Sequence, residues 1–182
     1  TIWLATVSIA LTIAIGIPAG VVAALNRGRM LDNLISVAVV GLLAVPNFCI
    51  GLLLISTFSV QLGWLPSFGA EDWRSVIMPA LGLAARLIGL VGRMTRNVMI
   101  EELRKDYVRT ARAKGLRRHV IVIRHVLRNA LIPVVTVIGL QAGYLLGGAI
   151  VIERLFSWPG IGDLLINAVG LRDYALIQAI TI

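Results

Sequence analysis

Eleven of the 17 Lys and Arg residues in this chain fall between Arg93 and Arg128. Cations at that density can grip phosphate, carboxylate or an acidic protein surface. Nothing beside them builds a catalytic centre. No GxxxxGKS or GxxxxGKT cradle is present, so nucleotide binding by a phosphate loop is excluded. His119 and His125 stand six residues apart among cations, where a helical metal pair needs a spacing of four; both read as interfacial polar residues. Cys49 is single, which excludes an intrachain disulfide and a Cys-rich zinc site, and it reads as a small apolar filler. The residue types therefore point to a docking surface without enzyme chemistry, metal or cofactor.

The elements around that surface are apolar. Hydrophobic residues make up 58% of the 182-residue chain and charged residues 14%, with mean hydropathy +0.91. Such values lie far from soluble usage and describe a polytopic membrane protein. The net charge of +8 is not a nucleic-acid signature, because the cations sit beside apolar stretches and no aromatic-rich basic strand or DNA-reading helix accompanies them. An apolar run of about 20 residues crosses the hydrocarbon as a helix. Four such runs are read at Thr1 to Leu25, Asn33 to Val60, Val76 to Gly92 and Ile132 to Ile152, and a fifth begins at Asp173. The chain begins and stops inside apolar runs, and so reads as a piece of a longer protein.

Charge sets the orientation. Arg27, Arg29 and the Arg93-to-Arg128 block share one side, which the positive-inside rule makes cytoplasmic. The other side holds Glu71, Asp72, Glu153 and Asp163, with Trp64, Trp73 and Trp158 suited to an interfacial belt. Between Arg93 and Ala130, charge alternates with apolar residues at helical spacing, which predicts short helices along the membrane face. Glu101 and Lys105 form an i,i+4 pair, and Val108, Ala111 and Gly115 form a small-residue stripe that a partner could approach. Gly115 is placed to close a helix in the left-handed conformation. Arg117, Arg124 and Arg128 alternate with Val120, Ile123 and Leu127 in a run whose cations can reach lipid phosphate. Pro133 is expected in the first turn of the next span.

Polar groups inside the spans mark a candidate translocation pathway: Asn47, Arg86, Gln141, Tyr144 and Gly147. Pro46 breaks the ladder beside Asn47, which either lines a water-filled path or bonds a neighbouring helix. Gly143 and Gly147 form a small-xxx-small pair, open to helix packing or to pore lining. Arg86 has no acidic partner in the visible spans and must pair, snorkel or meet water. Ser157 to Val169 is too short to span and reads as an amphipathic helix at the surface.

The stretch Asp106 to Gly115, DYVRTARAKG, followed by Arg128 to Pro133, RNALIP, resembles the loop through which permease subunits of binding-protein-dependent ABC importers meet their ATPases. The general form of that loop carries an EAA triplet. Its positions fall on Arg109, Thr110 and Ala111, only Ala111 matches, and the Gly-to-Pro distance is longer, so the likeness is to the peptide and nickel branch. Val45 to Gly51 (VPNFCIG) is similar to that branch's P-x-F-x-x-G element, Gln61 to Gly69 to its first outer loop, Gly147 to Val169 to its second, and Arg172 to Ala179 to the start of its final span.

The resemblance implies an all-α transmembrane bundle of the type I ABC importer permease fold, a fragment with about five spans. The permease domain covers 1–182, a cytoplasmic coupling loop 98–131, and a periplasmic loop with a short surface helix 153–172, a lid over the pore mouth. It implies that Asp106, Tyr107, Arg109, Thr110, Ala111, Ala113, Lys114 and Gly115 couple to the ATPase. Implied partners are a second homologous permease subunit, two ABC ATPase subunits, a periplasmic or lipoprotein solute-binding protein and membrane lipids, in a bacterial or archaeal inner membrane. The implied cargo is a dipeptide, an oligopeptide or a related solute such as glutathione, a nickel complex or an opine, with ATP hydrolysed on the partner. The alternative is an ion-coupled secondary transporter or channel subunit, which intramembrane Asp or Glu would favour; none lies in the four runs. A membrane scaffold without transport is the third class.

Overall fold

The computed structural model describes residues 1–70 and 72–181, and every regular element among them is helical. Glu71 lies outside the described residues. Helix α1 spans Ile2–Leu25, α2 Met30–Ala44 and α3 Asn47–Leu54, the last continued by wider π-helical turns over Ile55–Gln61. A 3-10 turn at Trp73–Val76 leads into α4, Ile77–Glu102. Then come α5, Asp106–Ala113, and α6, Arg118–Val120, which passes through π-helical turns at Ile121–Leu127 into α7, Arg128–Leu155. Helices α8, Ile161–Leu171, and α9, Tyr174–Thr181, follow.

Three of these helical runs are long and apolar enough to cross a membrane: Ile2–Leu25, Trp73–Glu102 and Arg118–Leu145. The second expected span is interrupted. Pro46 stands in extended geometry (φ −59°, ψ 143°) between α2 and α3, because proline cannot donate to the helical ladder. The broken pair counts as a fourth crossing if taken as one span. The fifth stretch contributes the eight residues of α9.

Two boundaries differ from expectation. Arg93 to Glu102 does not lie along the membrane face but extends α4 to 26 residues. Pro133 is not in a first turn; it sits inside α7, because helix begins upstream at Arg118 and reaches it without a break. The cost of Pro133 is one missing donor to the carbonyl four residues back, which a long helix tolerates when its neighbours hold it.

The chain divides into two compact units. One comprises Leu11–Ala44 and Arg86–Gln141. In it Gly16 and Gly20 of α1 meet α4: a Cβ on Gly20 would lie 2.5 Å from the Gly92 carbonyl oxygen and 2.6 Å from Thr95 Cβ. On α4, Gly89 lies against the Val39 carbonyl and Leu43 of α2. Glycine at these crossings lets helix backbones come close, which is the chief packing device where lipid removes any hydrophobic drive between helices. Asp32, 2% exposed, takes a two-pronged contact from Arg96, Nε to Oδ1 at 2.6 Å and Nη2 to Oδ2 at 2.7 Å, and accepts the Gly28 amide at 3.0 Å.

The other unit comprises Thr1–Ala10, Val45–Ala85 and the chain from Ala142 onward. Its core holds Leu4, Met78, Leu83, Ile152 and Phe156. Gly51, the glycine of the PNFCIG element, sits where a Cβ would strike Leu155 Cδ2 at 2.6 Å, and its Cα is 3.6 Å from the Cβ position of Gly82. The element is thus a packing point of α3 on α4 and α7. The Gly69 amide donates to the Phe156 carbonyl, tying the 62–72 loop to the end of α7. Trp64 and Trp73 are exposed as an interfacial belt needs, but Trp158 is buried, because the Trp158 amide donates to the Glu153 carbonyl and turns the ring inward.

Candidate functional site

The Arg-rich end is organised by three residues at the close of α4. Leu103, Arg104 and Lys105 turn the chain, their amides donating to the carbonyls of Met99, Glu101 and Glu102. Glu102, 7% exposed, accepts from Lys105 Nζ at 2.6 Å and from the Tyr107 hydroxyl at 2.7 Å. The pair foreseen between Glu101 and Lys105 is therefore replaced by Glu102 and Lys105. The helix ends at Glu102, and the turn after it brings Lys105 back over the residue three before it, not four. Burial first, then the bond to Glu102, pushes the Tyr107 phenol above its usual range. The same carboxylate holds the Lys105 ammonium above its ordinary 10.5.

Helix α5 is amphipathic in a way that reverses one expectation. Val108 is 1% exposed and Ala111 7%, and both join a cluster with Ala24 of α1, Met99 of α4, and Ile121, Val122, Val126 and Ala130 of the α6–α7 run. The small-residue stripe thus faces its own fold. Small and β-branched side chains there let a two-turn helix lie close on the ends of three long ones. Gly115, the third member of the stripe, leaves the face: its φ of +77° closes α5 in the left-handed conformation, and a Cβ there would meet open space.

Of the eight coupling candidates, Asp106, Arg109, Thr110, Ala113, Lys114 and Gly115 are exposed together along α5 and its cap, while Tyr107 is half-buried and Ala111 buried. The exposed set forms one face, cationic through Arg109 and Lys114, and Arg112 stands at its edge beside Leu25, Leu103 and Arg118. The run from Arg117 to Arg128 is not a separate surface helix but the start of the membrane-crossing helix.

The pathway candidates divide between the two units. Arg86 and Gln141 belong to the first unit, Asn47, Tyr144 and Gly147 to the second. Arg86 is exposed and makes no ion pair or hydrogen bond among the described residues. Asn47 Oδ1 is shielded from solvent and unpaired. Tyr144 is 65% exposed, one turn from exposed Gly147, and a Cβ on Gly143 or Gly147 would meet nothing within 4 Å. Gly16 and Gly20, whose i,i+4 spacing was equally legible, do form a tight crossing. Glu102, Asp32 and Glu153 are further site-shaping residues that sequence reasoning passed over. Glu102 alone carried a signal, standing three residues before Lys105 and five before Tyr107.

Glu153, fully buried on α7, accepts the Gly162 amide at 2.8 Å in the first turn of α8. A Cβ on Gly160 would strike the Glu153 carboxylate, and one on Gly162 would strike Ile150 Cα at 2.5 Å and Glu153 Oε2 at 2.8 Å. A carboxylate there also complements the positive end of the α8 dipole. Helix α8 is further tied by Arg154, whose Nη1 donates to Asp163 at 3.0 Å and Asn167 at 3.3 Å.

Residues 16–182 match the family described as the binding-protein-dependent transport system inner membrane component. The chain is similar to the glutathione transport system permease protein of Escherichia coli, 48% identical over 179 residues that cover 98% of this chain and 58% of the relative. The proteins of the same name from Shigella flexneri serotype 5b and Pectobacterium atrosepticum are 47% and 48% identical with the same coverage. The chain thus spans 58% of the length of these curated relatives.

Proposed function

Because the chain belongs to the family of inner membrane components of binding-protein-dependent transport systems, we propose that it is the translocation subunit of an ATP-driven importer for glutathione or a related short peptide. The substrate class follows the relatives, which are named for glutathione transport. Hydrolysis falls to two separate ATPase subunits, cargo comes from a solute-binding protein outside the inner membrane, and a second homologous permease subunit completes the passage. The Arg-rich end faces the cytoplasm on the positive-inside rule.

The observation that carries this reading is the seating of α5. Its outer face, Arg109, Thr110, Ala113 and Lys114, is free for a partner, while Val108 and Ala111 lock its inner face onto the ends of α1, α4 and the α6–α7 helix. A partner that moved α5 would move three membrane helices with it, since close-packed side chains transmit displacement and do not absorb it. Tyr107, Lys105 and Glu102 fix the angle at which the lever leaves α4, and so position it without touching cargo. Ion coupling would need a buried carboxylate free to bind and release a cation. Asp32 is engaged by Arg96 and Glu102 by Lys105 and Tyr107, which supports the ATP-driven reading at those two sites, while Glu153 accepts a hydrogen bond through Oε2 alone among the described residues.

The test is reconstitution of the full-length protein with its ATPases and binding protein in proteoliposomes, measuring ATP-dependent uptake of labelled glutathione and dipeptides. Uptake equal to the ATP-free control for every cargo tried would refute the function. Replacing Gly115 by Val should weaken ATPase copurification by distorting the end of α5, because a β-branched residue is strained at that φ while no neighbour stands in its way. A cysteine in place of exposed Ala113 should react with membrane-impermeant reagents only after cells are opened; labelling of intact cells would invert the orientation.

A further inference from the structure

A hollow of about 460 Å³ opens beside α5, and a second of about 530 Å³ adjoins it against α1 and the start of the α6–α7 helix. They share Leu25, Arg118 and Val122, so they form one groove. Leu25 is the last residue of the α1 span and Arg118 the first of the Arg118–Leu145 span. The groove therefore lies where two membrane-crossing helices leave the hydrocarbon, at headgroup depth. Arg112 and Arg118 line the first hollow, and Arg118 and His119 line the second. The rest of the second hollow is an apolar lane along Val21, Leu25, Val122 and Ile123.

No Asp or Glu is among the residues lining either hollow, and neither Arg112 nor Arg118 makes an ion pair or side-chain hydrogen bond among the described residues. Two guanidinium groups without an acidic partner, beside an apolar lane, match an amphiphile with an anionic head. We propose that this groove binds one anionic phospholipid, its phosphate between Arg112 and Arg118 and an acyl chain along Val21, Leu25 and Ile123. A free phosphate would account for the arginines but leave the lane exposed, and an acidic protein would have no use for a lane that runs into the bilayer. Because Arg112 belongs to α5 and Arg118 to the next helix, a bound headgroup would bridge the lever to the span that follows it. The inference requires only that α1 and the α6–α7 helix cross a membrane, and stands apart from the identity of the cargo.

The test uses the full-length protein in its complex, extracted in mild detergent, exposed to phosphatidylglycerol or phosphatidylcholine and weighed by native mass spectrometry. One phosphatidylglycerol per copy of this chain should be retained, with phosphatidylcholine retained at background. An Arg112→Gln, Arg118→Gln double variant should retain it about thirtyfold less well, since each surface cation contributes roughly a fivefold preference for anionic lipid. Ile123→Trp, at a site 63% exposed and so compatible with folding, should block the lane and lower retention with both arginines in place. An Arg27→Gln, Arg29→Gln pair, removing exposed cations outside the groove, should change nothing. Equal retention of the two lipids, release by millimolar inorganic phosphate, undiminished retention in the double variant, or retention only after the ATPases are stripped away would each overturn the assignment.

Discussion

Replacing Gly20 by Ala tests the glycine-mediated crossing of α1 and α4. The added methyl would sit 2.5 Å from the Gly92 carbonyl oxygen, 2.6 Å from Thr95 Cβ and 3.0 Å from the Arg96 amide nitrogen. Ordinary contacts lie near 3.5–4.0 Å, so the helices must part by roughly 1 Å. Every atom struck belongs to backbone or to a Cβ fixed by it, so no rotamer change relieves the clash. Overpacking of this kind costs about 1–3 kcal/mol, and with no flexible neighbour the upper half of that range applies. The gain in helix propensity from Gly to Ala, about 1 kcal/mol, offsets part of it. Gly41 on α2 supplies the control, since a Cβ there meets nothing within 4 Å while the propensity gain is the same. The stabilities of the two variants should then differ by about 2–3 kcal/mol, with Gly20→Ala the weaker. Gly16→Ala, whose nearest contacts are 3.2 Å, should fall between them. Denaturation by graded dodecyl sulfate in detergent micelles, followed by circular dichroism, reads the order. Equal midpoints for Gly20→Ala and Gly41→Ala would refute the close crossing.

Three further outcomes follow from the same contacts. Asp32→Asn should lower stability in the same assay by about 2–3 kcal/mol, somewhat below the cost of breaking a fully buried pair because the Arg96 side chain is 26% exposed; a neutral result would show that the pair holds nothing. Tyr107→Phe keeps the ring but removes the bond to Glu102, and should reduce uptake per ATP hydrolysed while leaving assembly with the ATPases intact; unchanged stoichiometry would remove the lever role of that bond. The Lys105 contact carries the opposite sign from an acid: its raised folded value makes it stabilising below the unfolded 10.5 and lost as pH climbs through the folded one. Coupling in proteoliposomes should accordingly be flat from pH 6 to 9 in the wild type and in Lys105→Arg alike, and a titration in that range that Lys105→Arg removes would place the Lys105 ammonium below its ordinary value and refute the contact with Glu102.

The sequence by itself determined that the chain spans a membrane, which end is basic, and where α5 closes. Apolar run length, the placement of 17 cations and the conformational freedom of Gly115 are local properties that no distant contact can reverse. Membrane spans are legible for the same reason: each helix must satisfy its own backbone in lipid, so length and composition suffice. Tertiary structure alone decided which faces are covered. Val108 and Ala111 offered an exposed stripe on paper, but the ends of α1, α4 and α7 converge on it and leave the opposite, cationic face outward. Gly16 and Gly20 have the same spacing as Gly143 and Gly147, yet only the first pair meets another helix in this chain, because spacing specifies a possible crossing and not its partner. Glu153 was silent in the sequence, and Glu102 carried only its spacing to Lys105 and Tyr107. Their roles rest on groups brought near by a turn after α4 and by the folding back of α8, so a carboxylate that looks like a loop charge in sequence becomes a buried anchor in space.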